Sequence, residues 1–206
     1  MDLDKHLKTF TNSIDLHNKY PKGPSMSDGR LFVPFKLKCE QLLVDFCKKD
    51  IEEQWDRKSI KLLIHEFPDR IRRILNAELT SKNLPILEGN FSTIRTKKQP
   101  GTIHSDGGFH VGLNIPIFGT RGSSMLWFDG DYIESFQETQ KTVVTVLKWN
   151  SQPKMIGELE LLESHLMRVD VPHNVYPNPN SDRAILSIRF EGNPTWEEIL
   201  ERITPK

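Results

Sequence analysis

The segment from Thr102 to Gly108 places a histidine and an aspartate two residues apart, at His104 and Asp106. Along a β-strand this spacing points both side chains to the same face. An imidazole nitrogen and a carboxylate oxygen then project into one space, where both can bind the same cation. The glycines that follow Asp106 let the chain bend close to such an ion. The pair therefore predicts two ligands of a metal site.

A third ligand is predicted at His173, which ends the strand-like run before it. Two histidines and one carboxylate on one face of an ion leave the opposite positions open, as in non-haem Fe(II) oxygenases. A structural zinc site is instead closed by four protein ligands. The sequence contains neither a Cys-x-x-Cys nor a His-Glu-x-x-His motif, so iron is favoured over structural zinc. His110, four residues after Asp106, is a weaker rival ligand because it lies further along the strand.

A basic residue follows the third ligand, since Arg183 lies ten residues after His173. If the two strands are neighbours, Arg183 returns close to the metal, where its guanidinium can form a bidentate pair with a carboxylate. It would then hold the far end of a dicarboxylic co-substrate whose other end binds iron. Arg189 alternates with Arg183 along the same strand and is the rival anchor. An acidic group at the rim is the other predicted partner of Arg189.

Two more residues are expected to bind the co-substrate. Asn114 sits in an apolar run, where an inward amide either donates to a bound carboxylate or is satisfied within the core. Trp127 either lines the pocket or packs in the core. His65 and His165 have no supporting pattern and are predicted to be ordinary, partly exposed residues.

In this order the residues resemble the 2-oxoglutarate/Fe(II)-dependent dioxygenase superfamily, over residues 86–191. The resemblance is carried by the HxD pair, the later histidine and the arginine ten residues beyond it. Within the superfamily, the aspartyl/asparaginyl β-hydroxylase-like branch is similar over 113–117, 126–128 and 173–187. Many members carry a serine two residues after the arginine, and here Ile185 stands at that position.

The resemblance implies a double-stranded β-helix, which is a cupin-like jelly-roll barrel. It implies His104, Asp106 and His173 as iron ligands and catalytic residues, and Arg183 on a carboxylate of 2-oxoglutarate. It also implies that oxidative decarboxylation of 2-oxoglutarate by O2 is coupled to oxidation of a substrate, usually hydroxylation.

Hydrophobic spacing predicts helices in the first third of the chain and strands after Pro85. The predicted helices are 1–20, 37–50 and a segment from Arg57 to residue 79 that Pro68 interrupts. The predicted strands are 31–33, 86–96, 102–106, 109–117, 123–129, 142–148, 167–171 and 183–190. Thr195 and Glu198 have capping-box spacing, which predicts a helix over 196–203. The predicted fold is therefore mainly β, a sandwich or barrel flanked by helices.

The chain of 206 residues is predicted to be one oxygenase domain, with helical support in 1–84, a β-barrel core in 85–191 and a C-terminal helix in 192–206. Lys plus Arg equals Asp plus Glu at 28 each, so charge gives no reason to expect a nucleic-acid or membrane-surface partner. No secretion signal and no membrane span is predicted. Cys39 and Cys47 lie about 12 Å apart along one predicted helix, and we expect reduced thiols in a cytoplasmic protein.

Three functions fit these patterns. The first is an Fe(II)- and 2-oxoglutarate-dependent oxygenase that uses O2 and acts on a small molecule, a peptide or a protein side chain. The second is a cupin-type metalloprotein that does not use 2-oxoglutarate, such as an isomerase or another dioxygenase. The third is a non-catalytic barrel that binds a ligand, and it predicts that the three proposed metal ligands do not converge in space.

Overall fold

The structure is a computed structural model that describes residues 31–55, 61–95, 102–106, 108–138 and 143–204. The helix predicted over 1–20 lies outside these residues. Within them the helices are α1 (Glu40–Gln54), α2 (Asp69–Ser81) and α3 (Trp196–Ile203). The strands are β1 (Phe32–Pro34), β2 (Lys61–Ile64), β3 (Leu87–Arg95), β4 (His104–Ser105), β5 (Val111–Phe118), β6 (Ser124–Asp129), β7 (Tyr132–Glu138), β8 (Val143–Trp149), β9 (Lys154–Glu160), β10 (His165–Arg168), β11 (His173–Tyr176) and β12 (Arg183–Phe190).

The strands form two six-stranded antiparallel sheets. The first sheet has the order β1-β10-β5-β12-β3-β2, and the second has the order β7-β8-β4-β11-β6-β9. The segment predicted as helical support thus also supplies two edge-region strands, β1 and β2, to the first sheet. This mainly β architecture with flanking helices is consistent with the predicted jelly-roll-like fold, and closure into a barrel stays a prediction.

Each face of the first sheet is covered by an apolar layer. Strand β12 is buried along its whole length, and its side chains alternate between the layers. Leu186 and Ile188 pack under the helices with Leu43, Leu75 and Trp196. On the opposite face the core contains side chains from both sheets, namely Leu31, Met125, Trp127, Ile156, Leu161, Met167, Val169, Val175 and Ile185.

Helix α1 begins with a cap supplied by another helix. The Cys39 side chain makes no cap hydrogen bond. Instead the carboxylate of Glu78, on α2, accepts hydrogen bonds from the backbone N–H groups of Lys38 and Cys39, the latter at 2.8 Å. Burial alone would raise the pKa of the Glu78 carboxyl, but these hydrogen bonds outweigh it and hold the pKa below its usual 4.5. The first turn of α1 therefore depends on α2.

The prediction of a helix from Arg57 to residue 79 was wrong over residues 61–64, and its first residues, 57–60, lie outside the described residues. Residues Lys61–Ile64 form β2, which pairs with β3, because sheet pairing overrides the helix-like spacing of their apolar side chains. The second half is confirmed as α2, which starts directly after Pro68. The helix predicted over 196–203 is confirmed as α3, with both hydrogen bonds of its capping box. No helix among the described residues is both long and apolar enough to cross a membrane.

Candidate metal centre

Three strands of the second sheet bring the predicted ligands together. His104 on β4 is the direct cross-strand partner of His173 on β11, and His173 is in turn the partner of Trp127 on β6. Directly opposite residues point to the same face of a sheet, so the two imidazoles lie side by side. Asp106 follows β4, where its backbone N–H donates to Val169 O at 2.9 Å. This bond fixes the aspartate next to the two histidines.

The ligand atoms of the three side chains converge. One potential ligand atom from each of His104, Asp106 and His173 lies within 4.8 Å of the others. Asp106 Oδ1 is 3.6 Å from His104 Nε2 and 3.8 Å from His173 Nε2. The imidazole centroids are 4.6 Å apart, and the ring planes are inclined by 51°. Three donor atoms thus surround one point, as a single cation would require.

Both histidines are held in the tautomer that suits a metal ligand. The Nδ1 atom of His104 lies 2.8 Å from Thr102 O, and that of His173 lies 2.9 Å from Val171 O. A carbonyl oxygen only accepts hydrogen bonds, so each Nδ1 must donate. Nε2 is then the ring nitrogen that faces Asp106 in each histidine. A hydrogen bond from the second ring nitrogen is the usual way in which proteins orient metal-binding histidines.

The charges of the site also suit a cation. Burial lowers the pKa of His173 to about 4, so the ring is neutral at neutral pH. Burial alone would raise the pKa of Asp106, but the charge and the hydrogen bond of Arg189 outweigh it and lower the pKa. Asp106 is therefore an anion beside the two imidazoles, and together they are the donor set of a two-histidine, one-carboxylate centre.

Arg189 is the arginine that contacts the triad. Its Nη2 donates to Asp106 Oδ2 at 2.5 Å, and only 2% of the residue is exposed. The sequence predicted an acidic partner at the rim, whereas the partner is a predicted metal ligand. The contact joins β12 of the first sheet to a residue beside β4 of the second sheet, so no local signal in the sequence indicates it.

Arg183 lies at the other end of β12, about 20 Å from Arg189 along the strand. It is also buried, with 2% exposed, and the alternation of β12 puts it on the same face as Ile185 and Arg189. That face is the one directed at the second sheet. Its role as co-substrate anchor stays a prediction.

The other two predicted co-substrate residues are integrated in the core. Asn114 Oδ1 accepts a hydrogen bond from Ser187 Oγ at 2.7 Å, and its Nδ2 lies 2.9 Å from Met167 Sδ. Trp127 is fully buried, stacks on Phe32 and donates from Nε1 to the backbone of Arg168 at 3.0 Å. Both side chains are therefore engaged within the protein.

The other three histidines of the described residues, His65, His110 and His165, lie outside the triad. His110 Nδ1 is 3.6 Å from Asp170 Oδ2. His65 and His165 were predicted to be partly exposed, which is wrong, since 2% and 5% of these residues are exposed. Both have hydrogen-bond partners within the protein, and Nδ1 of His165 lies 2.8 Å from Glu163 O. His65, for example, bonds Asp50 Oδ2 through Nδ1 and Ser92 Oγ through Nε2.

Comparisons with known proteins give only distant similarity. No family model matches the chain, and no curated protein sequence matches it. Among solved structures, the non-heme alpha-ketoglutarate-dependent carbocyclase SnoK from nogalamycin biosynthesis is similar at 14% identity, with 89% of this chain and 94% of that chain covered and a TM-score of 0.47.

Two L-ribose isomerases are also similar. The one from Geodermatophilus obscurus has 11% identity over 91% of this chain and 84% of its own, with a TM-score of 0.34. The one from Cellulomonas parahominis, solved with L-psicose, has 10% identity over 93% and 85%, with a TM-score of 0.34. None of the three is an aspartyl/asparaginyl β-hydroxylase, so that branch stays a prediction.

Proposed function

We propose that this protein is an Fe(II)- and 2-oxoglutarate-dependent oxygenase, with His104, Asp106 and His173 as the metal ligands. The observation that carries the proposal is the convergence of two imidazole Nε2 atoms and one carboxylate oxygen on a single point. The hypothesis of a non-catalytic barrel predicted instead that these three side chains would not converge. Two histidines and one carboxylate are the donor set of non-haem Fe(II) oxygenases, which keep the remaining positions open.

The protein's own residues have distinct roles in this proposal. Fe(II) would supply the redox chemistry with O2 that amino-acid side chains do not provide. His104 and His173 would hold it through Nε2, each ring being oriented by its Nδ1 hydrogen bond. Asp106 contributes the negative charge that makes binding of a dication favourable. The apolar side chains of the inter-sheet core exclude water on the inner side of the triad.

The co-substrate assignment is supported by Arg183. A buried guanidinium on the inner face of β12 is suited to a bidentate pair with the distal carboxylate of 2-oxoglutarate. Arg189 is engaged with Asp106, and Arg183 keeps the role of co-substrate anchor in this proposal. We propose a hydroxylation of a small molecule, a peptide or a protein side chain as the reaction.

One observation favours a second candidate, a cupin-type metalloprotein that does not use 2-oxoglutarate. Asn114 and Trp127 are both predicted to bind the co-substrate, but their polar atoms contact other groups of the protein core. A metal centre with the same triad but a different co-substrate, or none, would leave these two residues in that purely internal role. The two candidates share the metal and differ in the ligand of Arg183.

The test measures Fe(II)-dependent conversion of 2-oxoglutarate to succinate, together with 2-oxoglutarate binding to the anaerobic Fe(II)-loaded protein. The wild type is expected to form succinate. Without the natural substrate, it should do so at a low rate that is uncoupled from substrate oxidation. His104→Ala should abolish it, whereas His110→Ala, which removes a histidine outside the triad, should retain it. Arg183→Ala should weaken 2-oxoglutarate binding, and Arg202→Ala, at an exposed position on α3, should not.

The outcomes separate the candidates. Metal binding that requires His104, without any binding of 2-oxoglutarate, would support the second candidate over the first. Metal binding that is insensitive to His104→Ala would refute both.

A further inference from the structure

We propose that Arg189 is a positioning residue that holds the Asp106 carboxylate so that only Oδ1 is available to the metal. The inference rests on the proposed metal site and adds a residue that binds no metal itself. Arg189 Nη2 donates to Asp106 Oδ2. The other oxygen, Oδ1, is the one that faces both histidine Nε2 atoms, at 3.6 and 3.8 Å. The two oxygens are therefore divided between the guanidinium and the metal position.

This division controls how many coordination positions the protein occupies. A carboxylate can bind a cation through one oxygen or through both. With Oδ2 held by Arg189, Asp106 takes one position and the triad takes three. A carboxylate that turned to use both oxygens would occupy one of the positions at which an oxygenase must bind its reactants. Arg189 thus preserves the open side of the centre.

The guanidinium is seated in a cradle that only a glycine allows. A Cβ atom at position 112 would lie 2.2 Å from Arg189 Nη1, so Gly112 leaves the space that the guanidinium fills. The aromatic rings of Phe91 and Phe109 lie near it, with their centroids 5.0 and 5.7 Å from Arg189 Cζ. Cations over aromatic faces at such distances are attracted to the ring. The position of Arg189 is therefore defined on several sides, independently of Asp106.

Stability alone is a poor reason for this arrangement. Arg189 Nε is buried and has no hydrogen-bond partner among the residues that the structure describes. A buried cation with an unsatisfied N–H group costs free energy that a single ion pair does not reliably offset. A defined effect on Asp106 is a benefit that an apolar residue at position 189 would not provide.

A purely electrostatic role for Arg189 makes the opposite prediction. A cation next to a dication repels it, so removal of the Arg189 charge would tighten metal binding if charge alone mattered. A positioning role predicts weaker binding, because the carboxylate must then be ordered when the metal binds. The sign of the change therefore distinguishes the two roles.

Three variants provide the test. Arg189→Met removes both the charge and the hydrogen bond. Gly112→Ala keeps every charge but displaces the end of the Arg189 side chain. Gly89→Ala is the matched control, because Gly89 is the cross-strand partner of Arg189 on β3 and an added Cβ there meets nothing within 4 Å. Circular dichroism establishes that each variant retains the fold, and the Gly112 and Gly89 pair decides if Arg189→Met does not.

The readouts are the affinity for Mn2+, measured by calorimetry, and the visible absorption spectrum of the Co2+-loaded protein, which reports the ligand arrangement. Changes in residues that orient metal ligands typically reduce affinity by about 10- to 100-fold. We expect a loss in this range and an altered Co2+ spectrum for Gly112→Ala and Arg189→Met. Gly89→Ala should match the wild type in both measurements.

The inference is overturned if Gly112→Ala and Arg189→Met bind Mn2+ as tightly as Gly89→Ala, or more tightly, with an unchanged Co2+ spectrum. The metal site itself would then still stand. If instead the wild type binds no Mn2+, or His104→Ala binds it equally well, the proposed function fails and the positioning role fails with it. The two failures are therefore distinguishable in the same set of titrations.

Discussion

Replacement of Glu78 by alanine should destabilise the protein through a helix that does not contain it. The Glu78 carboxylate, on α2, accepts hydrogen bonds from the N–H groups of Lys38 and Cys39 at the start of α1. Loss of a helix cap typically costs about 0.5–2 kcal/mol. Because two N–H groups lose an anionic acceptor, we expect a cost of about 1–2 kcal/mol. Urea unfolding at neutral pH measures it, as a lower midpoint with an unchanged slope.

The same cost must depend on pH. The pKa of Glu78 in the folded protein lies below its usual 4.5, so the folded state favours the ionised carboxylate. Its contribution to the free energy of unfolding is therefore complete above pH 4.5 and is lost as the pH falls through the folded-state pKa. The difference between wild type and Glu78→Ala should shrink over that range.

Glu201→Ala is the matched control, since it removes an exposed glutamate from another helix, α3. The reasoning is refuted if Glu78→Ala and Glu201→Ala have the same urea midpoint at neutral pH. It is also refuted if the cost of Glu78→Ala remains constant as the carboxyl becomes protonated.

Two further predictions concern the backbone and the buried histidine. Gly119→Ala should destabilise the protein severely, because Gly119 has a φ of +63° and an added Cβ would lie 1.7 Å from Asp182 O. Gly192→Ala, with a φ of +75° but nothing within 4 Å, should cost only the backbone strain of about 1 kcal/mol, and equal melting temperatures would contradict this. Burial lowers the pKa of His65 below its usual 6.5, so its contribution to stability is complete above pH 6.5 and is lost as the pH falls toward the folded-state pKa. In the His65→Gln variant, the free energy of unfolding should depend less on pH in that range than it does in the wild type. Parallel pH curves for the two proteins would disprove the assignment.

Local signals in the sequence predicted some elements to the residue. The span of β12, 183–190, was predicted from an apolar run that follows a turn, and α3 was predicted from its capping box. Both signals act within a few residues. The strands that were missed lack such signals. β7 and β9 form the edges of the second sheet, where side chains that face solvent interrupt the apolar pattern, and β11 is a four-residue strand between Pro172 and Pro177.

The triad was predictable because its chemistry and its spacing agree. His104 and Asp106 have the period of a strand, and His173 completes a donor set. The role of Arg189 was not predicted, since period-two alternation places Arg183 and Arg189 on one face without ranking their distances from Asp106. That ranking depends on which strands pair and in which direction they run, and contacts between distant segments decide it. The burial of His65 depends in the same way on Asp50 and Ser92, which lie on other elements.

The contact between Asp106 and Arg189 has a mechanical consequence. His104 and His173 lie on strands of the second sheet and Asp106 directly follows one of them, whereas Arg189 belongs to β12 in the first sheet. The orientation of Asp106 thus depends on a residue of the opposite sheet, and the geometry of the metal centre depends on the distance between the two sheets. A core substitution between the sheets, such as Ile185→Ala, would reach the site by letting the two sheets approach, without touching any ligand. The affinity for metal would in this way report how tightly the core between the two sheets is packed.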